Sequence, residues 1–380
     1  MADTLYFSRD TQVFVKIGSA VWTMPVLDGF SFSQATNASE ITLNEMSDTS
    51  GNSRRARQMF TDSYAPAEWS FSTYARPFKS VGTTDPVTQG VADSAVKHHA
   101  VEEVLWAMMV GDAAYASNTF TGFTADGDDL DITFANSNKT SLGKADIFFV
   151  MGGARGGTKT TYKIADCCVN EASLDFDIDG IATINWSGFG TIITEDTAPS
   201  PTIYEGTASS DTSNFIRNRL TSLAISTTDD HLLATGETAD SDSAREDYDL
   251  VLTGGNVTIS NNITFLTPET LGVVNQPLGH VTGTRSVSGN FTCYLNAEAD
   301  SSADLFERLI EDTDTIVNNF TLLFKVGGGA TPRIELNMAQ CHLEVPTHSI
   351  DDVISLETKF HALPSTISST DELTIKYVGE

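Results

Sequence analysis

The stretches Gly29-Phe30-Ser31-Phe32-Ser33 and Asn256-Val257-Thr258-Ile259-Ser260 share one alternation of apolar with small polar residues, which matches Phe30 with Val257. A period of two predicts a β-strand with one face in a core and the other in water. Three more matched segments follow each stretch in the same order. They are Ser70-Phe71-Ser72-Thr73-Tyr74 with Asn290-Phe291-Thr292-Cys293-Tyr294, Phe149-Val150-Met151-Gly152-Gly153 with Phe324-Lys325-Val326-Gly327-Gly328, and Cys168 with Cys341. Matches that keep their order indicate an internal duplication.

The duplication predicts a mainly β (α+β) chain of two tandem domains, residues 1–195 and 196–380. The first domain is expected to carry a long loop at 35–66 and an insertion at 113–144, and the second an acidic loop at 227–247. Ser, Thr, Asn and Gly are abundant and only 19% of the residues are charged, which favours strands and turns over long surface helices.

One helix is predicted in each domain, after the second matched strand. The first pattern of helical spacing ends at Gly111, a natural C-terminal stop, and the second begins at Ser301 with Asp304 as its capping partner. Both helices are expected to cover one side of a sheet.

Net charge restricts the partners of the chain. With 22 basic against 51 acidic residues, the formal net charge is −29, and such a surface repels nucleic acid and anionic membranes. No apolar run approaches the roughly 18 residues of a membrane span, and no signal-peptide core follows Met1. We therefore expect a soluble protein made in a cytoplasm, and tight DNA binding is disfavoured. Repulsion would still suit a conduit that lets DNA slide past without holding it.

Catalytic and metal-binding motifs are weak. The glycine run 152–160 is read as a hairpin because strands flank it on both sides, whereas a phosphate loop needs a following helix. The aspartates between Asp126 and Asp131 lack the closing glutamate of a calcium loop and are read as an acidic turn. His98 and His99 are adjacent, so they are expected to form a surface pair, and the four cysteines to be buried free thiols. No catalytic residue, metal site or cofactor is predicted.

The densest basic patch is Arg54, Arg55 and Arg57, within the loop 35–66. A solvated charge run is one interpretation. The other is contact with the acidic surface of a neighbouring copy of the chain, because exposed arginines would meet carboxylates on every such copy.

Together, Val26 to Ser33, the arginine-bearing loop, Ala67 to Tyr74 and the later helix and hairpin resemble the major tail tube protein of long-tailed bacteriophages. The resemblance implies a β-sandwich with a flanking helix, whose strands join those of neighbouring copies in a closed barrel around a DNA channel. It also implies stacked rings, with the long loop reaching the adjacent ring. Most members of that family have one such domain and form six-membered rings.

The resemblance further implies a virion tail protein that is assembled in the host cytoplasm and is not an enzyme. Its partners would be other copies of itself, the tape measure protein in the lumen, and the terminator and distal tail proteins. DNA would be present in the lumen only transiently and would not adhere to its wall.

Combining the resemblance with the duplication predicts rings of three chains with pseudo-sixfold symmetry. The residues expected to face the lumen are Ser31, Ser33, Ser70, Ser72, Asp175, Asp177, Thr258, Ser260, Asn290, Thr292 and Glu357. Two alternatives remain open from the sequence: a β-rich receptor-binding or adhesin module, and a β-sandwich hydrolase with two catalytic carboxylates.

Overall fold

The protein is described here by a computed structural model. The model describes residues 6–42, 49–51, 57–79, 97–111, 114–116, 119–134, 142–152, 158–202, 214–227, 229, 232–234, 247–311, 320–350 and 352–379. These residues form 26 antiparallel β-strands and two α-helices.

The described part of the first half of the chain, residues 1–195, contains sixteen strands and helix α1 (Glu103–Val110). The strands are β1 (Thr11–Ile17), β2 (Ala20–Met24), β3 (Ser31–Ser33), β4 (Thr36–Thr42), β5 (Arg57–Tyr64), β6 (Ala67–Tyr74), β7 (Pro77–Lys79), β8 (His98–Ala100), β9 (Tyr115–Ala116), β10 (Thr119–Phe120), β11 (Phe123–Ala125), β12 (Asp129–Thr133), β13 (Ala145–Met151), β14 (Thr160–Asp177), β15 (Thr183–Gly190) and β16 (Ile193–Glu195).

In the second half, residues 196–380, the residues that the structure describes form ten strands and helix α2 (Ser302–Glu311). The strands are β17 (Ser222–Thr227), β18 (Leu252–Ser260), β19 (Thr264–Leu266), β20 (Gly279–Val281), β21 (Ser286–Tyr294), β22 (Phe320–Val326), β23 (Arg333–Leu343), β24 (Thr347–Ile350), β25 (Ile354–Ala362) and β26 (Thr374–Val378).

One long sheet runs through both halves in the order β3-β6-β15-β14-β18-β21-β25-β24. We call it the long sheet. The two halves meet in its middle, where the C-terminal part of β14 pairs with β18. Among the residues that the structure describes, this sheet is open within one chain, and its two edge strands are β3 and β24.

A second layer packs on one face of the long sheet and contains two ladders. In the first half its order is β2-β1-β13-β14-β16, using the N-terminal part of β14. The other ladder has the order β17-β22-β23-β26-β12-β11, in which β12 and β11 come from the first half. Between the layers lies one continuous cluster of buried residues, which includes Trp69, Trp186 and Phe324. Apolar burial between two sheet faces is therefore the main force that holds both halves together.

The ladders of the first half recur in the second. Strands β1, β13, β14, β15, β6 and β3 pair in the same sequence as β17, β22, β23, β25, β21 and β18. Phe149 faces Val13 across one ladder, and Phe324 faces Leu223 across its counterpart. Even the register shift next to the cysteine recurs, between Ala145 and Ile147 in one ladder and between Phe320 and Leu322 in the other.

Two residue matches expected from the sequence are wrong in detail. Cys341 corresponds to Cys167, because Cys167 pairs with Ala145 and donates its thiol hydrogen to Ile164 O, just as Cys341 pairs with Phe320 and donates to Met338 O. Val257 corresponds to Phe32, two residues beyond Phe30. Cys167 and Cys168 are adjacent in the sequence, and Phe30 and Phe32 hold equivalent positions in a strict alternation. The sequence pattern alone therefore could not distinguish the correct match from its neighbour.

The two helices differ from each other. Helix α1 ends at Gly111 in the left-handed conformation as expected, but all eight of its residues are buried, so the expectation of a one-sided lid is wrong for it. Helix α2 is amphipathic and buries Ser302, Asp304 and Leu305. The Ser301 hydroxyl donates to the carbonyls of Asn296 and Glu298, so it orders the turn before the helix.

Three expected loops contain ordered structure. The loop 35–66 forms the hairpin β4–β5. The insertion 113–144 contributes β9 to β12, and β12 pairs with β26 of the second half, so the ranges 1–195 and 196–380 share a ladder there. Within 227–247, Leu232 and Ala234 are buried, and the Tyr248 hydroxyl donates to Leu232 O. None of the helices described is long and apolar enough to span a bilayer.

Candidate functional site

The face of the long sheet opposite the core is polar along its whole width, and we call it the polar face. Strand β6 shows how it arises: Trp69, Phe71 and Thr73 are buried, while Ser70 and Ser72 are on the other side. All eleven residues expected to face a lumen lie on this face, on six of the eight strands. They are Ser31, Ser33, Ser70, Ser72, Asp175, Asp177, Thr258, Ser260, Asn290, Thr292 and Glu357.

Hydrogen bonds connect the polar side chains of the first half across four strands. Ser72 Oγ donates to Asn185 Oδ1 at 2.6 Å, and Asn185 Nδ2 donates to Asp175 Oδ2 at 2.9 Å. Ser173 Oγ donates to Asp175 Oδ1 at 3.4 Å and accepts from Thr258 Oγ1 at 3.4 Å. The last bond crosses from β14 to β18, so the polar network joins the two halves.

The polar side chains of the second half are connected in a similar way. Asn290 Nδ2 donates to Glu357 Oε1 at 2.9 Å, and the backbone N–H of Asn290 donates to Asn256 Oδ1 at 3.1 Å. At the outer edge of the first half, the hydroxyls of Ser31 and Ser70 are 2.8 Å apart. Because side chains satisfy one another across strands, the face presents hydroxyls, amides and carboxylates in fixed positions.

Carboxylates outnumber cations on the polar face. Glu68 and Glu171 lie on it in addition to Asp175, Asp177 and Glu357, whereas Lys359 and His361 are its basic members. His361 Nε2 is 3.1 Å from Glu344 Oε1. Sequence reasoning omitted Asn185, Asn256, Glu68 and Glu171 from the site. Each could have been found, since each alternates with buried residues of the same strand.

The arginine patch is only partly described. Arg54 and Arg55 lie outside the described residues. Arg57 begins β5, where its Nη1 is 3.4 Å from Glu40 Oε1 on the paired strand β4 and its side chain is 73% exposed. Met59 and Phe60 of the same hairpin are at least half exposed.

A second hairpin, β19–β20, stands beside the first. It occupies the connection between β18 and β21, as β4–β5 occupies the connection between β3 and β6. The two hairpins touch where Tyr64 N–H donates to Asn275 O and Asn275 N–H donates to Asp62 O. Leu271 and Leu278 of the second hairpin are 99% and 74% exposed. Both hairpins therefore carry apolar side chains that are exposed in the single chain.

The expectation that His98 and His99 form a surface pair is wrong, since both are buried. His99 Nδ1 is 2.9 Å from Glu103 Oε2. Glu102 is also buried and accepts a hydrogen bond from the Tyr377 hydroxyl, which in turn accepts from Trp106 Nε1 at 2.8 Å. Burial raises the pKa of Glu102 to about 7. This group ties α1 of the first half to β26 of the second and has no open access, so its role is structural.

Other candidate chemistry is also structural. The four cysteines are free and buried, as expected. Cys168 Sγ lies 3.2 Å from His280 Nδ1, but burial raises the pKa of the thiol to about 12 and lowers the pKa of the imidazole, so both groups are neutral. Asp126 Oδ1 accepts the N–H groups of Asp128 and Asp129, which lowers its pKa and closes the acidic turn.

The described residues form a two-layer β fold with a wide polar sheet face, and His98, His99, Glu102 and the four cysteines are buried. These features are typical of a structural protein. No protein-family model matches the chain. Over 383 residues, it is 30% identical to tail tube protein pb6 of Escherichia phage T5, with 97% of this chain and 75% of pb6 covered. The chain therefore belongs to the tail tube protein family. It is a structural component of a phage tail and not an enzyme, which removes the hydrolase alternative.

Proposed function

We propose that three copies of this chain close a ring, that the polar faces of their long sheets line its channel, and that stacked rings form the tube through which DNA leaves the virion. Two halves produced by duplication would act as separate tube domains, so each ring would have pseudo-sixfold symmetry. Assembly would take place in the host cytoplasm. A receptor-binding module would need no polymer and would not account for the similarity to a tail tube protein.

The observation that carries this proposal is the ladder between β14 and β18. It joins the polar sheet of one half to that of the next edge to edge, with seven residue pairs from Glu171↔Ser260 to Asp177↔Gly254. The recurrence of the same ladders in both halves supports the duplication. A contact of this kind, repeated between chains, would leave neither edge of the long sheet exposed.

Strand number favours three chains over six. Each chain supplies eight strands to the long sheet, so three chains supply 24. At about 4.8 Å between strands, a 24-stranded wall encloses a channel of about 37 Å between backbones before strand tilt widens it. That width leaves room for a DNA duplex once side chains are added. Six chains would give a wall about twice as wide.

The composition of the polar face suits passage without adhesion. Carboxylates such as Asp175, Asp177 and Glu357 repel phosphates, and the hydroxyls and amides between them already bond to one another. A channel that offers few lysines or arginines releases few counterions from DNA, which is the main source of non-specific affinity.

Stacking of rings would use the two hairpins. The hairpin β4–β5 begins its second strand at Arg57, and the sequence between its two strands includes Arg54 and Arg55. These arginines would reach carboxylates on the adjacent ring. The exposed apolar side chains of both hairpins support this assignment. Tape measure, terminator and distal tail proteins would then bind the lumen and the two ends of the tube.

Electron cryomicroscopy of purified, polymerised protein tests the proposal. The expected reconstruction has three chains in each ring and a channel wall built from both halves. A ring of six whole chains, a wall built from one half, or a polar face turned away from the channel would overturn it.

A further inference from the structure

The two open edges of the long sheet carry an inference that rests on the proposed ring. Among the described residues, β3 has its ladder on one side, to β6, and β24 has its ladder on one side, to β25. Both strands are short, and all four residues of β24 are exposed. Edge strands can form a ladder with another chain, and a second copy of this chain is the partner for which the molecule itself contains a template.

The template is the internal ladder between the halves. There Ser173 faces Thr258, Leu174 faces Val257 and Asp175 faces Asn256. If equivalent residues of the two outer edges can be identified, this ladder fixes the register between chains.

The equivalents on the β3 side follow from the neighbouring strand. Phe32 faces Trp69 on β6, and Val257 faces Gly289 on β21. Trp69 and Gly289 hold the same position in their halves, because each precedes by two residues the phenylalanine of the matched segments. Phe32 therefore corresponds to Val257, and Ser31 and Ser33 flank it as Asn256 and Thr258 flank Val257.

The equivalents on the β24 side follow in the same manner. Leu174 faces Ile184, which faces Thr73. His348 faces Leu356, which faces Cys293. Thr73 and Cys293 are matched residues of β6 and β21. His348 therefore corresponds to Leu174, and Thr347 and Ser349 correspond to Ser173 and Asp175.

Transferring the internal ladder to the outer edges gives a definite interface. We propose that β24 of one chain pairs antiparallel with β3 of the next, with His348 opposite Phe32, Thr347 opposite Ser33 and Ser349 opposite Ser31.

The side chains of the two edges fit this register. Phe32 turns to the core side, where its ring is 4.5 Å from that of Phe149, and His348 turns to the same side, where its ring is 4.5 Å from that of Phe306. The register also places Ile350, which is 77% exposed, opposite Phe30. A slip of one residue would set hydroxyls against aromatic rings and reverse the faces.

Paired cysteines test the register in assembled tubes. Two double variants place thiols directly opposite each other: Ser31→Cys with Ser349→Cys, and Ser33→Cys with Thr347→Cys. Two controls use the same four substitutions in slipped pairs: Ser33→Cys with Ser349→Cys, and Ser31→Cys with Thr347→Cys. Opposite Cβ atoms lie about 5 Å apart and diagonal ones about 7–8 Å, so only the first two variants suit a disulfide. The four native cysteines are buried and should not form disulfides between chains.

After mild oxidation and denaturing electrophoresis without reductant, the opposite pairs should give covalent species up to the trimer, and the slipped pairs should remain monomers. Crosslinking of a slipped pair, or of no pair, in tubes that are visible by electron microscopy would overturn the register and leave the tube function standing. Species up to the hexamer from the opposite pairs would instead contradict the three-chain ring. If the variants do not polymerise, the distance from Ser31 to Ser349 of the neighbour in a reconstruction of the unmodified tube decides the matter.

Discussion

The indole of Trp69 covers Gly188 on the adjacent strand, where an added Cβ would lie 2.6 Å from the Trp69 ring and 2.1 Å from Cys168 O. The second half has the reverse arrangement at the equivalent position: Phe360 covers Gly289, where an added Cβ would lie 2.7 Å from the phenyl ring. One large ring and one glycine thus fill the same space in each half, on exchanged strands.

This exchange makes both glycines necessary. We expect Gly289→Ala to destabilise the fold by about 1–3 kcal/mol, because the methyl group enters filled space beside Phe360 and Asn256 O. Gly329→Ala is the control, since nothing lies within 4 Å of that site. Denaturant unfolding measures both. Equal stability of the two variants would contradict the packing described.

Glu102 should make stability depend on pH. Its folded-state pKa of about 7 lies above the ordinary value of 4.5, so the folded state holds the proton more tightly. The contribution of this group to the unfolding free energy is fully present below about pH 4.5 and is lost as the pH rises through about 7. The total loss is roughly 3 kcal/mol at most.

Substitution isolates that contribution. We expect Glu102→Gln to keep an acceptor for the Tyr377 hydroxyl and to remove this part of the pH dependence. The unfolding free energy of the variant should therefore rise relative to that of the unmodified protein as the pH increases from 5 to 8. Unfolding free energies measured across that range provide the comparison. Parallel pH profiles for the two proteins would show that Glu102 already titrates normally.

Charge on the polar face should control DNA retention. In assembled tubes, Asp175→Lys with Asp177→Lys should create salt-sensitive DNA binding, because the proposed channel would then hold cations beside the phosphates. The matched control is Glu307→Lys with Glu311→Lys on α2, which lies on the other side of the long sheet. Gel retardation at several salt concentrations measures the effect. Equal retention by both variants would argue against a channel lined by the polar face.

The proposed contact between β24 and β3 of neighbouring chains should require the apolar side chain of Ile350. Ile350→Asp should abolish tube formation and change the unfolding free energy of the monomer by less than about 0.5 kcal/mol, because the side chain is exposed in the single chain. Ile367→Asp is the control: that residue is fully exposed and lies outside both edge strands. Sedimentation and negative-stain microscopy distinguish the outcomes. Normal tubes from Ile350→Asp would contradict the contact.

Local patterns in the sequence predicted much of the long sheet. Alternation placed Ser70 and Ser72 opposite Trp69 and Phe71, and it put all eleven expected site residues on one face. That this face lines a channel stays a prediction, as does the duplication. Alternation could not reveal the bonds among Ser72, Asn185 and Asp175, because these depend on which strands are neighbours.

The errors have physical causes as well. Sequence reasoning gave α1 one buried side, but the helix packs against β14 and Trp106 donates a hydrogen bond to Tyr377 of β26. Contacts of this kind join residues that are distant in sequence. His98 and His99 were expected at the surface because polar and ionisable side chains normally stay in water. The hairpin β4–β5 was missed because its strands are exposed on both faces, and alternation requires one buried face.

The covalent link between the halves has a consequence for polymerisation. In a ring of three chains, every second contact between neighbouring domains is the ladder between β14 and β18, which is already formed when a chain folds. Closing the ring then requires three chains to lose translational and rotational freedom instead of six, at an estimated 4–15 kcal/mol for each association. Such a ring nucleates at a lower protein concentration than one built from six separate domains, so tubes can begin to form while the protein is still scarce.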